Sequence, residues 1–391
     1  MTDVPVRQTV MSSGFRPWLV TGHAEVRSVL ADPRFAKDSR RVAELLDRYS
    51  LSGSDSVFGQ SLLHHMLNTD PPGHGRLRTL VNKAFTPRAV ERLRPRIGEI
   101  CDELLDALEG ETHTDLLAAF AVPLPVKVIC ELLGIPQADR EMFRSWSNTL
   151  VSALPPEVVN EASAAMERYL YGLVAAKAKE PREDMLSALV HAQDSGDRLS
   201  EDELVSMACL LLAAGHETTV NLIGNGLLAL LTHPDQLAAL RADPSQLPRA
   251  VEEFLRYDSP VNQATLRFTT EPVQIGGVEI PEGEFVILSI DSANHDTCVY
   301  DNPDVLDIGR ETGGHLAFGH GIHYCLGAPL ARLEAQIAFT KLLDRYDRID
   351  LAVPHQQLEW RFSVVMRGLE RLPVRLGRRG GHKGEGRRTD G

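Results

Sequence analysis

The sequence predicts a mainly α-helical protein with small β-sheets. Residues 97–190 show apolar positions at helical spacing, in several amphipathic segments one after another. A long apolar segment near the middle of the chain carries both the start and the stop signals of a single helix. Strand-like patterns are short, and most of them follow residue 260. We therefore expect a helical body with small sheets attached to it.

The long helix is the clearest element. Ser200, with Glu203 three residues later, forms the pattern of a capping box. The apolar pattern can run to His233, where Pro234 ends it. A helix of about 33 residues spans roughly 50 Å, enough to cross the whole molecule. Residues 207–215 are apolar on every side, so we expect this part to be buried.

Polar residues interrupt this helix just after its most apolar part. Gly215 is followed by Glu217, Thr218 and Thr219. An acid and two hydroxyl groups are costly inside a buried helix unless they have a partner or a task. A threonine can donate to a carbonyl one turn back, and glycine weakens the helix further. We expect a kinked groove with an acid and a hydroxyl facing inward; the alternative is a bend whose polar groups are satisfied internally.

A second chemical feature is a cysteine in a glycine-rich loop. Cys325 lies among three glycines in residues 318–327, and a predicted helix follows. Glycines allow a tight bend and a close approach to a flat partner. The N-terminus of the next helix favours a thiolate, which is the metal-binding form of cysteine. The loop predicts a metal ligand, with a buried structural cysteine, or zinc held with His320 and His323, as the alternatives.

Two further pairs have helical spacing. His74 and Arg78 follow the helix-starting sequence Asp-Pro-Pro-Gly and share one helix face, which suits a ligand with two carboxylates. Alone, such a pair is more often a solvated surface. Glu253 and Arg256 are three residues apart and also share a face, but an isolated pair of this kind is common.

The strand predictions are local. We expect a strand at 18–20 followed by a helix at 24–30, and a hairpin around Gly276-Gly277. A buried strand is predicted at 285–290, and a last strand pair near 362–366 and 369–374.

Composition limits the function. The formal charge of −13 argues against a general nucleic-acid binder. Five scattered cysteines without a framework pattern fit a reducing cytoplasm, and no apolar run near the start is long enough to anchor the chain in a membrane. We expect a single catalytic domain over 1–377 and a disordered, Gly- and Arg-rich tail over 378–391.

Four motifs in chain order resemble those of the cytochrome P450 family. They are His74 with Arg78, Ala-Gly-x-Glu-Thr at 214–218, Glu-x-x-Arg at 253–256, and the loop 318–327. The resemblance runs from about residue 18 to residue 375. It implies the cytochrome P450 fold, with haem b buried between the long central helix and the cysteine loop. The family usually has a longer lead before the first strand, so we expect one wall of the substrate entrance to be less covered.

The resemblance also assigns roles to residues. Cys325 becomes the axial ligand of the haem iron, and four cationic side chains become partners of the haem propionates. Thr218 and Glu217 become the catalytic residues that handle oxygen and relay protons, and Glu253 with Arg256 becomes a buried structural salt bridge. The full cofactor-binding set is His74, Arg78, Ala214, Thr218, Arg267, Phe318, Gly319, His323, Cys325 and Gly327. The expected substrate pocket comprises Leu63, Leu212, Ala214, Val261, Ala264, Val364 and Val365.

The implied activity is that of a haem-thiolate monooxygenase. Electrons would pass from NAD(P)H through a ferredoxin reductase and a ferredoxin, and O₂ would supply the oxygen that hydroxylates or epoxidises a bulky lipophilic substrate. The individual residues within the motifs resemble those of family members that act in macrolide or polyketide tailoring, or in steroid-like hydroxylation, in secondary metabolism. The alternatives are a haem protein that binds or sequesters such a ligand without turnover, and a peroxide-driven enzyme, against which the Glu217–Thr218 pair argues.

The sequence predicts binding partners in less detail than the active site. Between Arg76 and Arg96 there are seven basic residues and one acid, a patch that could steer an acidic ferredoxin toward the Cys325 face. The alternative is a plain solvated helix surface. A Ser- and Gly-rich stretch at 49–62 reads as a loop, which by resemblance would lie over the haem. We expect a monomer.

Overall fold

The computed structural model describes residues 4–11, 14–48, 65–151 and 155–378. Helices dominate this part of the chain. In order they are α1 (His23–Ala31), α2 (Ser39–Arg48), α3 (Gly73–Ala84), α4 (Pro87–Glu91), α5 (Arg94–Asp106), α6 (Pro123–Leu133), α7 (Arg140–Val151), α8 (Pro156–Lys179), α9 (Met185–Val190), α10 (Glu201–Thr232), α11 (Pro234–Ala242), α12 (Leu247–Tyr257), α13 (Ile290–Asn294) and α14 (Ala328–Arg345).

The strands are short. They are β1 (Val6–Gln8), β2 (Trp18–Val20), β3 (Phe35–Ala36), β4 (His113–Asp115), β5 (Arg267–Thr269), β6 (Val273–Ile275), β7 (Val278–Ile280), β8 (Phe285–Leu288), β9 (Tyr346–Leu351) and β10 (Pro373–Arg378). They form a five-stranded sheet in the order β1-β2-β8-β5-β3, a three-stranded sheet β4-β10-β9 and the hairpin β6-β7. In the largest sheet β2 and β8 run parallel, and the other neighbours run antiparallel. The predicted class, mainly helical with small sheets, is confirmed.

Helix α10 forms as predicted. The Ser200 side chain accepts from the backbone N–H of Glu203 at 3.2 Å, and the Glu203 carboxylate accepts from the N–H of Ser200 at 2.8 Å. The helix then runs unbroken to Thr232, a length of about 48 Å. The backbone stays helical through residues 215–219, so the polar residues do not break the helix, and the kink expected there stays a prediction. Helices α6, α8, α12 and α14 pack around α10, which therefore forms the centre of the main core.

The strand predictions at 18–20, at 285–290 and around Gly276-Gly277 were confirmed, as β2, β8 and the hairpin β6-β7. Gly276 and Gly277 have φ of +57° and +79°, which places them in a two-residue turn between Ile275 and Val278. The predicted strand pair near 362–366 and 369–374 was wrong. Met366 makes only an isolated bridge, with Val261, and the strand that does form, β10, pairs with β4 and β9. Backbone partners distant in sequence therefore replaced the local hairpin.

The ends of the chain are described only in part. Strand β10 continues to Arg378, the residue at which we expected the tail to begin, and residues 379–391 lie outside the described residues. The predicted loop at 49–62 also lies outside them. Among the helices that the structure describes, none combines the length and the apolar character needed to cross a bilayer.

Candidate active site

The loop before α14 brings Cys325 into the interior. Gly319 and Gly321 have φ of +72° and +73°, a left-handed conformation that favours glycine. A Cβ atom at Gly321 would lie 2.7 Å from the carbonyl oxygen of Leu30, so this position also needs glycine for space. The backbone N–H of Cys325 donates to the carbonyl of Phe318 at 2.9 Å and closes the loop. The loop holds the cysteine rigidly in place just ahead of the α14 N-terminus.

Although protein atoms crowd around it, the Cys325 side chain stays accessible through a cavity of about 220 Å³ that it lines. Burial raises the pKa of this thiol, and the backbone N–H groups of Gly327 and Ala328 and the charge of Arg78 lower it by less. The helix N-terminus therefore acts in the predicted direction but does not outweigh burial. A metal ion at the sulfur would deprotonate the thiol outright.

The cavity lies between α10, α14 and the cysteine loop. Six predicted site residues line it: Ala214, Thr218, Val261, Phe318, Cys325 and Gly327. Helix α14 contributes Leu330, Ala331 and Glu334, none of which we predicted. The long helix and the cysteine loop thus flank one cavity, as expected.

Thr218 lies on the cavity side of α10. Its Oγ1 donates to the carbonyl oxygen of Ala214 at 2.9 Å, which is the backward hydrogen bond predicted from the sequence. Thr219 makes a longer contact of the same kind, 3.5 Å to the Gly215 carbonyl. The Thr218 hydroxyl can therefore rotate between a carbonyl of its own helix and a group in the cavity.

Glu217 is buried but does not line this cavity. Its carboxylate forms an ion pair with Arg361, a residue of the segment before β10. The neighbouring His216 places Nδ1 2.8 Å from the Leu212 carbonyl, and burial lowers the pKa of its ring. We expected the Glu217 carboxylate to face the cavity. It is instead paired with the Arg361 guanidinium, and neither residue lines the cavity.

A group of basic side chains lies at or beside a second, adjacent cavity of about 120 Å³, which shares Val261 and Ala317 with the first. Arg267 and His323 line it, together with Lys37. The His74 ring lies against the His323 ring, with 4.3 Å between centroids. We call Lys37, His74, Arg78, Arg267 and His323 the basic cluster. None of its members forms an ion pair with another described residue.

Burial and mutual repulsion shift the titration of these groups strongly. Burial, with the charges of Lys37, His74, Arg267 and Arg78, lowers the pKa of His323 to about 2. Burial lowers the pKa of Arg267 to about 10. Burial and the Arg267 charge lower the pKa of Lys37 well below its usual value.

The acid nearest this cluster, Asp70, uses its carboxylate to accept backbone N–H groups of Lys37 and Asp38 at 2.9–3.0 Å. One carboxylate cannot balance five basic side chains. A flat apolar ligand that carries two carboxylates, with a metal for the thiol, satisfies both cavities together. The residues present therefore fit haem b, because the Cys325 thiol lines one cavity and basic side chains line the other.

The predicted salt bridge is present and fully buried. Arg256 donates from Nε and Nη2 to the two carboxylate oxygens of Glu253, both at 2.8 Å, and both side chains have 0% exposure. Arg310 Nε and the N–H of Asp307 also donate to Glu253, and Arg256 Nη1 donates to the carbonyl of Asn294. The pair ties α12 to the segments before the cysteine loop.

The predicted substrate residues divide into three groups. Val261 lies between the two cavities, and Ala264 lines the second. Leu212 is buried and points away from both, because the neighbouring position, Leu211, occupies the cavity face of α10. Leu63 lies outside the described residues.

The predicted placement of Val364 and Val365 at this pocket was wrong. Both side chains are nearly half exposed, and Val364 lines a separate groove with Trp360 and Arg367. The reason is the missing strand at 362–366, which would have alternated side chains toward the interior.

The predicted basic patch is largely neutralised. Arg76 pairs with Asp197 and Glu203, and Lys83 pairs with Asp194. Arg94 pairs with Glu91; Arg96 pairs with Glu99, Glu103 and Glu131. Arg78 belongs to the basic cluster and is partly buried. Within the described residues, Arg88 and Arg92 are the members of the segment that stay exposed without an ion pair.

Two residues of the site were missed from the sequence. Lys37 stands beside an aspartate in a charged stretch and reads as a surface residue. Glu334 reads as one polar position of an amphipathic helix, yet it is 1% exposed, and its Oε2 has no partner among the described atoms. Burial raises the pKa of Glu334 well above its usual value. The described residues contain no group of three His, Cys, Asp or Glu placed to hold a metal ion, which removes the basis for the zinc alternative.

Comparisons with known proteins agree with this site. The family model described as cytochrome P450 matches residues 132–368. The protein called cytochrome P450 107B1 from Saccharopolyspora erythraea is 54% identical over 96% of this chain and 93% of its own length. The vitamin D(3) 25-hydroxylase of Pseudonocardia autotrophica is 48% identical over 96% of this chain and 91% of its own length. The solved structure of the tirandamycin C-bound monooxygenase TamI has a TM-score of 0.88 and 52% identity, covering 95% of this chain and 94% of that one.

Proposed function

This chain belongs to the cytochrome P450 family, and on that premise we propose that it is a haem-thiolate monooxygenase acting on a bulky, lipophilic substrate. The observation that carries the proposal is the joint placement of Cys325 and Thr218 on one largely apolar cavity, beside a basic cluster that lacks matching acids among the described residues. When bound, haem b with a thiolate ligand activates O₂ so that one oxygen atom is inserted into a substrate bond.

Individual residues would have separate roles in the proposed reaction. With haem bound, Cys325 Sγ would hold the iron, Phe318 would shield the sulfur from water, and the basic cluster would hold the two carboxylates. Thr218 keeps a proton at Oγ1, which it now donates to the Ala214 carbonyl and could turn into the cavity. Glu217 would have to release Arg361 before its carboxylate could pass protons toward Thr218.

The lining supports a lipophilic substrate. Apart from Cys325, Glu334 is the one ionisable side chain among the described residues that line the main cavity. Relatives are named for the hydroxylation of vitamin D(3) and for polyketide biosynthesis, and a related structure holds tirandamycin C. We infer a substrate of this size and polarity, either a macrolide or polyketide intermediate or a steroid-like molecule.

We infer that a ferredoxin is the electron donor. Its docking surface would be smaller than the whole basic segment 76–96 that the sequence suggested. Ile322 and Tyr324 are exposed on the cysteine loop, at 48% and 40%. Helix α4, which carries Arg88, packs against α14, and Arg92 follows directly. These four residues would form the docking face around Cys325, since the other basic residues of the 76–96 segment already have partners or lie inside. The monomeric state and the cytoplasmic location stay predictions.

The test separates catalysis from binding alone. The purified protein, reduced under carbon monoxide, should show the red-shifted absorption that thiolate ligation gives the family. Macrolactones, steroids and terpenoids would then be titrated as a panel, and the best binder incubated with NAD(P)H, ferredoxin and its reductase. Oxygenated product supports the proposal. Binding without NAD(P)H consumption would favour the alternative, a haem protein that sequesters its ligand, and a missing red-shifted band would refute thiolate ligation.

A further inference from the structure

Lys37 is a buried lysine without a partner. Its side chain is 4% exposed, and within the described residues its Nζ makes neither a hydrogen bond nor an ion pair. An ammonium group in that position is strongly unfavourable unless an acceptor completes it. The lysine therefore indicates an acceptor that the described part of the chain does not supply.

The fold holds Lys37 in this position. It directly follows β3, whose Ala36 pairs with Phe268 of β5, so that Lys37 and Arg267 extend from adjacent strands. The backbone N–H of Lys37 is fixed by the Asp70 carboxylate at 3.0 Å. Both the strand pairing and this hydrogen bond direct the side chain into the interior rather than to solvent.

The space that Lys37 faces is the smaller cavity, which Arg267 and His323 also line. Asp70 is the acid whose charge reaches Lys37, Arg267 and His74, and its oxygens already accept backbone N–H groups. Three donors around one small chamber, with Asp70 as the one nearby acid among the described residues, form a receptor for a further carboxylate.

We propose that Lys37 donates from Nζ to one of the two haem propionates, in the chamber that it shares with Arg267 and His323. The assignment rests on the proposed haem cofactor. His74 and Arg78, on α3, would then serve the other carboxylate. A charge-assisted hydrogen bond of this kind is shorter and stronger than a neutral one, so Lys37 should contribute measurably to cofactor retention.

The test uses the holoenzyme and two readouts besides turnover. Lys37→Met keeps the length of the side chain but removes its charge. We expect haem transfer to excess apomyoglobin to accelerate at least about tenfold, the lower end of what a charged hydrogen bond contributes. The midpoint potential of the haem should become more negative, because loss of a nearby positive charge favours the oxidised form.

Two further variants make the result specific. Lys83→Met removes an exposed lysine that pairs with Asp194 and should leave both readouts unchanged. Lys37→Arg restores the charge and should bring the potential back toward the wild-type value, which a merely structural role of the side chain would not predict. If Lys37→Met yields no holoenzyme, Lys37→Gln is measured in the same two assays.

Each outcome decides the assignment. Haem release within twofold of wild type together with an unchanged potential would overturn it. The same result with weakened binding of a fatty acid would assign Lys37 to a substrate carboxylate instead, and would also overturn it. A wild-type protein that binds no haem would refute the proposed function itself, which is a different failure.

Discussion

The carboxylate of Glu217, near the midpoint of α10, pairs with the guanidinium of Arg361, 144 residues further along the chain. The acid side chain is 7% exposed and the arginine 30%. The backbone N–H of Arg361 donates to the carbonyl of Gly368 at 2.9 Å, which fixes the arginine's segment. This pair joins the centre of the longest helix to the surface.

Removing the arginine charge should destabilise the fold. Arg361→Gln leaves the Glu217 carboxylate buried without a cation, and we expect the free energy of unfolding to fall by about 1–3 kcal/mol. Denaturant titration of the holoenzyme measures this change. Arg348→Gln, which breaks the exposed pair with Asp350, is the matched control and should change stability by less than about 0.5 kcal/mol. If both substitutions lowered the free energy of unfolding equally, the buried Glu217–Arg361 pair would contribute no more to stability than an exposed pair.

Thr218→Ala tests the handling of protons. The substitution removes a cavity hydroxyl whose only described bond is to the Ala214 carbonyl, so the helix should tolerate it. We expect product per electron consumed to fall on the order of tenfold or more, with hydrogen peroxide released instead.

The control for Thr218 lies in the same helix. Thr232 makes the same backward bond, 2.9 Å to the Leu228 carbonyl, but does not line the Cys325 cavity. Thr232→Ala should leave the coupling of electrons to product unchanged. An unchanged product yield per electron in Thr218→Ala would refute the assigned role.

Elements with local signals were predictable from the sequence. The capping box at Ser200, the hairpin at Gly276-Gly277 and the glycine loop before Cys325 each follow from residues within a few positions of one another. The backward bond of Thr218 is of the same kind. In each case the residue that determines the conformation and the backbone that it affects lie within the same short segment.

Features that depend on distant contacts were not predictable. Arg361 and Lys37 look like surface residues until the fold places one beside Glu217 and the other beside Arg267. The raised pKa of Glu334 follows from its burial, which its own helix pattern does not indicate. Strands β1 and β3 have three and two residues, too few for an alternating pattern, and they exist because β2 and β5 offer partners.

Glu253→Gln tests the buried salt bridge. Arg256 would lose its charged acceptor, and Arg310 and the N–H of Asp307 would lose theirs. Removing one partner of a fully buried pair typically costs about 3–5 kcal/mol, which should be visible as a much lower yield of holoenzyme and a lower melting temperature. Glu91→Gln breaks an exposed pair at the same three-residue spacing, with Arg94, and should melt like the wild type. A Glu253→Gln protein that melts normally would contradict the structural role.

Cys325→Ser tests the ligand assignment. Serine keeps the size and the loop hydrogen bond but removes the thiolate, so the red-shifted absorption under carbon monoxide should disappear while the fold remains. Cys298 is exposed and lies outside both cavities, so Cys298→Ser should keep the full absorption. Survival of the band in Cys325→Ser would exclude this sulfur as the ligand.

Acid should weaken one interaction near the cysteine loop in a defined pH window. Glu252 on α12 accepts from Arg332 Nε and Nη2 of α14 at 2.6 and 2.8 Å, and His315 Nε2 lies 3.0 Å from the same carboxylate. Burial alone would raise the pKa of Glu252, but these hydrogen bonds and charges outweigh it and lower the pKa to about 2. The ordinary value is 4.5, so the stabilisation is complete above pH 4.5 and is lost as the pH falls toward 2.

Glu252→Gln should therefore differ from the wild type in a pH-dependent way. After allowance for solvent screening of a partly exposed group, we expect the variant to be about 1–2 kcal/mol less stable at pH 7. The gap should stay constant down to about pH 5 and narrow below it, because the wild-type carboxylate begins to lose its advantage there. Denaturant titrations at several pH values between 7 and 3.5 measure the gap, with Glu282→Gln, on an exposed turn, as the control. A gap that widens in acid, or does not depend on pH, would mean that the Arg332 and His315 contacts do not set the ionisation of Glu252.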